Sequence, residues 1–265
     1  MLRAQGVTDK GRVRQTNEDC FAIDERLGLC LVADGMGGHN AGEVASRLAV
    51  GAVVEYLREA GLEAGLLSEP AGEASVWPFG FDPSLSKAGN LLRTPIQVAN
   101  IQILEAAVTS EEYSGMGTTI VAALVEGPTL SVAHVGDSRL YLFAGDRLRQ
   151  LTPDDSWLAS VLAQDPRVDP EMLQNHPMRN ALTSAVGARA GADVHVVEET
   201  LQGGELIAMT TDGVHGALDD ARIQRLLAEG GDPAAMATNL VRAALARGSR
   251  DNCTAIVARY YPTNL

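Results

Sequence analysis

Leu29-Cys30-Leu31-Val32-Ala33-Asp34-Gly35 is an apolar run of strand length that ends on a carboxylate followed by glycine. The design returns twice: Val132-Ala133-His134-Val135-Gly136 leads into Asp137, and Leu206-Ile207-Ala208-Met209-Thr210-Thr211 leads into Asp212. A fourth carboxylate, Asp251, stands just before Asn252-Cys253-Thr254-Ala255-Ile256-Val257-Ala258. Short apolar runs bounded by glycine or polar residues read as buried strands. Carboxylates at four strand ends, far apart in sequence, meet only if the fold brings those ends together. Several carboxylates in one buried place do not stay ionised without cations beside them. Ligands that are all oxygen favour hard ions such as Mg2+ or Mn2+ over zinc. The expectation is a bound divalent metal and metal-assisted hydrolysis.

Outward from these runs, strand groups and helix pairs are segregated. Residues 1–35 read as strands joined by a turn at Gly11, and Gly35-Met36-Gly37-Gly38 opens a helix from about Ala41 to Ala60. Residues 61–90 gather Gly, Ser and Pro without periodicity and read as a long surface loop. Trp77, Phe79 and Phe81 lie in it, either pinning the loop to the domain or forming a lid or docking knob. A helical pattern runs from about Ser84 to Thr109, interrupted at Pro95. Residues 118–151 read as a strand meander with turns at Gly127-Pro128 and Gly145-Asp146, and 152–180 as a polar, proline-punctuated insertion. Strands near 193–199 and 205–211 are joined by Gly203-Gly204, two helices start at the caps Asp219 and Asp232, and a strand near 253–260 follows. Strict βαβ alternation is missing, which predicts an α+β rather than a parallel α/β fold.

The 265 residues suit one large domain or two small ones. Hydrophobic residues make up 46%, yet no apolar run would cross a bilayer and no basic-then-apolar leader precedes the first strand. A cytoplasmic protein with no membrane partner is expected. Cys20, Cys30 and Cys253 are odd in number and lack CxxC spacing, so they read as small core residues rather than a disulfide or zinc framework. The net charge of −13 speaks against nucleic acid as a partner. Lys10, Arg12 and Arg14 form a small basic cluster suited to one phosphate.

Six blocks follow one another. They are Arg14-Gln15-Thr16-Asn17-Glu18-Asp19, Asp34-Gly35-Met36-Gly37-Gly38-His39, Gly115-Met116-Gly117-Thr118-Thr119, Val135-Gly136-Asp137-Ser138-Arg139, Thr210-Thr211-Asp212-Gly213 and Ser249-Arg250-Asp251-Asn252. One Asp-Gly alone is an ordinary turn signal. Together, over nearly the whole chain, the blocks make the sequence resemble the bacterial-type metal-dependent (type 2C, PPM) serine/threonine protein phosphatases. The resemblance implies one catalytic domain over 1–265, a four-layer αββα sandwich of two antiparallel sheets flanked by helices, with a metal site at one edge. Residues 61–90 would be a surface loop insertion and 152–180 a flap. It further implies two Mn2+ or Mg2+ ions, a third weaker one, and attack by a metal-bridging hydroxide on phosphoserine and phosphothreonine without a phospho-enzyme. The implied partners are phosphoproteins, a Ser/Thr kinase or its substrates in bacterial signalling, met by a monomeric enzyme.

By the same resemblance, Asp34 bridges both metals and the Gly35 carbonyl ligates the second. Asp212 and Asp251 ligate the first, Glu18 acts through metal-bound water, and Asp19 orients the ligands from behind. Asp137 either joins Asp212 at the third metal or is a turn aspartate bonded to Ser138 or Arg139. Arg14 would clamp the phosphate with its planar fork, and Arg12 reads as a surface residue, unless either arginine merely balances the acids. Two positions depart from the family pattern. Met36 stands where many relatives carry a proton-donating histidine, leaving His39 or metal-bound water for that task. Asp155 stands where relatives often carry histidine in Thr152-Pro153-Asp154-Asp155-Ser156. His176 is assigned a structural role. A phosphoprotein-binding module without turnover is the competing reading, and the full set Arg14, Glu18, Asp34, Asp212 and Asp251 counts against it.

Overall fold

The computed structural model describes residues 1–38, 41–62, 77–165, 167–173 and 176–262. The strands among them are β1 (Leu2–Asp9), β2 (Asp19–Asp24), β3 (Leu29–Met36), β4 (Gly117–Thr118), β5 (Ile120–Glu126), β6 (Thr129–Val135), β7 (Arg139–Ala144), β8 (Arg147–Gln150), β9 (His195–Thr200), β10 (Leu206–Thr210) and β11 (Cys253–Tyr260). The helices are α1 (Ala41–Leu62), α2 (Lys87–Thr109), α3 (Trp157–Gln164), α4 (Asp212–His215), α5 (Asp220–Ala228) and α6 (Pro233–Ala246). One sheet runs β1-β11-β10-β7-β8, the other β2-β3-β5-β6-β9 with β4 paired to β3. Neighbouring strands pair antiparallel in both.

Three hydrophobic layers hold four layers of structure together, as the αββα expectation requires. In β3, Leu29, Leu31 and Ala33 pack under α1 and α2, whereas Cys30 and Val32 face the other sheet. A strand buried on both faces carries no polar alternation, which is why that run is apolar throughout. Between the sheets, Val121 and Val132 meet Leu140, Ile207, Met209 and Ile256. On the far side, Ala208, Ala255 and Val257 pack against Ile223, Leu227 and Leu240 of α5 and α6. Burying one such Leu, Ile or Val fully contributes about 1.5–3 kcal/mol.

Several expectations need correction. The helix over Ser84–Thr109 begins at Lys87: Ser84 turns its hydroxyl to Asp82, and Ser86 caps the helix by accepting the Gly89 N–H at 3.0 Å. It is not interrupted at Pro95. An interior proline costs about 3 kcal/mol, but Leu91, Leu92, Ile96, Ala99 and Ile103 around it are buried against the second sheet, and that burial outweighs the lost hydrogen bond. The strands expected near 193–199 and 205–211 do form, as β9 and β10, but in different sheets. β9 closes one sheet and β10 lies inside the other, so Gly203-Gly204, both at positive φ, turns the chain between sheets. Likewise 118–151 is two hairpins, β5–β6 and β7–β8, in different sheets.

Of the 61–90 stretch, residues 63–76 lie outside the described residues. Trp77 is buried in the helix-side core, with Phe81 edge-on to it at 5.2 Å, so this aromatic pair pins the segment's end to the domain. Asp219 and Asp232 cap α5 and α6 by accepting the N–H groups of Arg222 and Ala235, both at 2.7 Å. Burial lifts the thiols of Cys30 and Cys253 to about 12 and about 11, as befits packing residues.

Candidate metal centre

Two crossings between the sheets and three strand ends open at one end of the sandwich. Residues 10–18 carry the chain from β1 to β2, and Gly136-Asp137-Ser138 carries it from β6 to β7. Asp34 lies near the end of β3, Asp212 follows β10, and Asp251 precedes β11. They meet in a cleft of about 460 Å³ lined by Arg14, Glu18, Asp34, Gly35, Asp137, Asp212 and Asp251, with Met36, Thr119, Asn180, Leu182 and Asn252. The structure thus brings together every cleft residue singled out from the sequence. Asp19 is buried beneath them as the register partner of Asp34.

Close backbone approaches explain why Asp34 and Asp212 are followed by glycine. A Cβ on Gly35 would overlap the carbonyl oxygens of Gly42 and Glu18, and one on Gly213 would overlap the Asn252 carbonyl. The Asp34 main chain is pinned from the other side. Its N–H donates to Thr119 Oγ1 at 3.1 Å, and its carbonyl accepts from the Thr119 N–H at 2.9 Å and the Thr118 hydroxyl at 2.9 Å. Asp19 Oδ2 accepts from Thr211 at 2.8 Å and Thr254 at 2.6 Å, a carboxylate from one sheet held by two hydroxyls of the other. Asn252 Oδ1 accepts the Glu18 N–H at 2.8 Å, while its Nδ2 donates to the carbonyls of Lys10 at 2.8 Å and Thr16 at 2.9 Å. Arg14 Nη2 donates to Asp251 Oδ2 at 2.6 Å.

Neither candidate partner in the turn holds Asp137. Ser138 shares a hydrogen bond with Thr119 at 2.8 Å, and Arg139 grips Asp154 with two, at 2.8 and 2.7 Å. The second departure from the family pattern, Asp155, lies behind this turn: it accepts the Gly136 N–H at 2.9 Å and faces His195 Nε2 at 3.3 Å. His176 stacks on Trp157 in the flap segment, with ring centres 4.2 Å apart. Met36 lines the cleft, and His39 lies outside the described residues.

Burial and mutual repulsion oppose ionisation of the cluster. Burial, then Asp19, Asp212, Asp137 and Asp251, pushes the Asp34 carboxyl well above the usual range. Burial raises Asp19 to about 7 against the pull of its two threonines, and raises Asp137 to about 7 with help from Asp212. Asp212 is raised by burial and Asp251, and Glu18 by burial against the relief of Arg14. Glu18 Oε1, Asp19 Oδ1 and Asp212 Oδ1 are buried without a hydrogen-bond partner. Such oxygens call for a cation or a proton. Among the described residues, no three acidic, imidazole or thiol groups close tightly on a single point; the carboxylates line an open cleft, and their oxygens suit a hard divalent ion.

Thr118, Thr119, Thr211, Thr254 and Asn252 were not predicted to act at the site. Thr118, Thr119, Thr211 and Asn252 stand inside the quoted blocks, so motif membership was the available signal. His215, whose Nδ1 meets Thr210 Oγ1 at 2.9 Å, carries no such signal. Burial holds its pKa well below the usual range.

Comparison with known proteins agrees with this geometry. Residues 9–247 match the family model described as protein phosphatase 2C. The serine/threonine phosphatase stp of Listeria innocua is 32% identical over 97% of this chain and 95% of its own. The crystal structure of the Mycobacterium tuberculosis serine/threonine phosphatase PstP superposes with a TM-score of 0.81 at 29% identity, covering 98% of this chain and 99% of that one. A PstP catalytic domain in complex with two manganese ions superposes at a TM-score of 0.76 with 30% identity, covering 98% of each chain. Fold, acidic cleft and sequence agree throughout: the chain belongs to the protein phosphatase 2C family, the metal-dependent serine/threonine protein phosphatases.

Proposed function

We propose that Asp34, the Gly35 carbonyl, Glu18, Asp212 and Asp251 hold two Mn2+ or Mg2+ ions, and that Asp137 with Asp212 holds a third, weaker one. The observation that carries this assignment is the set of three buried, unpartnered carboxylate oxygens at one carboxylate-lined cleft. When bound, the cations supply Lewis acidity toward water and toward the phosphoryl oxygens. The chain's own residues do the rest. Arg14, half exposed at the mouth, exchanges Asp251 for two oxygens of the phosphate, which its planar fork fits. Asp19, clamped by Thr211 and Thr254, keeps the floor of the cleft rigid and acidic. No Ser, Cys or His lines the cleft among the described residues, and the Thr119 hydroxyl is engaged by the Asp34 N–H and Ser138. The carboxylates are assigned to the cations, so solvent water is the nucleophile and no phospho-enzyme forms, as the family resemblance implies. Met36 has no proton to give the departing alkoxide.

The substrates are phosphoserine and phosphothreonine proteins, and we assign the chain to reversing a Ser/Thr kinase in the cytoplasm, as a monomer with one catalytic domain over 1–265. Two sheets that share one core between them support the single domain. No helix among the described residues is long and apolar enough to cross a membrane. The test is hydrolysis of p-nitrophenyl phosphate and a phosphothreonine peptide with Mn2+, Mg2+ or EDTA. Turnover of both only with metal is expected. A folded, metal-loaded protein inert on both would favour a phosphoprotein-binding module instead.

A further inference from the structure

Lys10 to Thr16 form a closed loop on the rim of the cleft. Asn252 draws its ends together through the Lys10 and Thr16 carbonyls, at 2.8 and 2.9 Å. Gly11, at φ +79°, packs so tightly on the Asp251 carbonyl that a Cβ would overlap it, and its N–H donates to Asp9 Oδ1 at 2.8 Å. The loop is therefore held in one shape against Asp251, with Lys10, Arg12, Val13, Arg14 and Gln15 exposed. Arg14 is paired with Asp251. Lys10 and Arg12 make no ion pair and no side-chain hydrogen bond among the described residues.

We propose that Lys10 and Arg12 read the residues flanking the phosphorylated one, and that preferred substrates carry Asp or Glu beside the phosphoserine or phosphothreonine. This rests on the phosphatase assignment above. A phosphate seated by Arg14 lays its peptide across this rim, two to four residues along the loop from the clamp. A chain of net charge −13 repels an acidic peptide over most of its surface. Two uncompensated cations beside the cleft turn that repulsion into local attraction and set where the peptide lands. Exposed pairs are individually weak and screened by salt, so the selectivity lies in KM and fades with ionic strength.

The experiment uses two phosphothreonine peptides of equal length, one flanked by Glu and one by Gln, with p-nitrophenyl phosphate as a third substrate. The chain and its Lys10→Ala/Arg12→Ala double variant are compared at low salt and at about 0.5 M salt, where screening is nearly complete. The expected result is a preference for the Glu peptide of about threefold to tenfold in kcat/KM, the range two exposed pairs supply. That ratio falls toward one in the double variant and in salt, and the Lys10→Glu/Arg12→Glu double variant inverts it. A ratio of one in the unaltered chain at low salt, or one that survives the double substitution, overturns the proposal while p-nitrophenyl phosphate is still turned over. No turnover of any of the three substrates overturns the phosphatase assignment itself, and this proposal with it.

Discussion

In the presence of EDTA the protein is expected to be less stable at pH 7.5 than at pH 5, and Asp137→Asn to remove part of that loss. Burial, then Asp212 and Asp154, raises the Asp137 carboxyl from 3.8 to about 7. Its folded pKa thus lies above its unfolded one, so between about pH 4 and 7 the folded chain holds a proton that the unfolded chain has released. Stability falls as pH rises through that window and levels off above about 7. A shift of about three units at about 1.4 kcal/mol per unit corresponds to about 4 kcal/mol. Asp19, raised to about 7, acts in the same direction. Asparagine cannot ionise, so the variant should recover about 2–4 kcal/mol at pH 7.5, several degrees in Tm for a chain of this size, only about 1.5 kcal/mol at pH 5, and nothing below about pH 4. Thermal unfolding followed by circular dichroism, with both proteins in EDTA at both pH values, measures this directly. Adding Mn2+ at pH 7.5 should restore the unaltered protein, since a ligand at a thousandfold its Kd contributes about 4 kcal/mol. A variant no more stable than its parent at pH 7.5, or a parent Tm that rises from pH 5 to 7.5, would refute the reasoning.

Asp212→Ala and Asp251→Ala should each cut Mn2+-dependent hydrolysis of p-nitrophenyl phosphate by about a hundredfold or more while the circular dichroism spectrum stays native; turnover at the parent rate would remove that aspartate from the cation site. Asn252→Leu leaves the Glu18 N–H and two carbonyls without their partner, so a loss of about 1–3 kcal/mol should show in the urea midpoint, with a raised KM as the loop bearing Arg14 loosens. Gly213→Ala drives a Cβ into the Asn252 carbonyl, and a soluble variant with parental Tm and activity would contradict that packing.

The strands, their aspartates and the glycines after them were legible in the sequence, because a strand buried on both faces must be apolar and a sharp exit at its end favours Asp-Gly. The caps Asp219 and Asp232 were legible because capping is local: the side chain bonds an N–H three residues on. Pro95 misled because propensity is local while the burial that overrides it lies in α1 and the second sheet. The partition of strands between sheets was hidden for the same reason. A turn such as Gly203-Gly204 looks alike whether it folds a hairpin or crosses layers, and only the packing of β9 and β10 against different neighbours decides it. The order of the six blocks identified the chemistry, but not what supports it. The two threonines that grip Asp19 come from the ends of β10 and β11, 192 and 235 residues away. Asn252 reaches back 242 residues to Lys10. Sequence alone singled out the side chains proposed to carry the reaction, because each needs a particular functional group at a strand end. Tertiary structure decided where those ends meet, which oxygens are left unpartnered and which cations stay free on the rim, because burial and pairing are properties of space rather than of chain order.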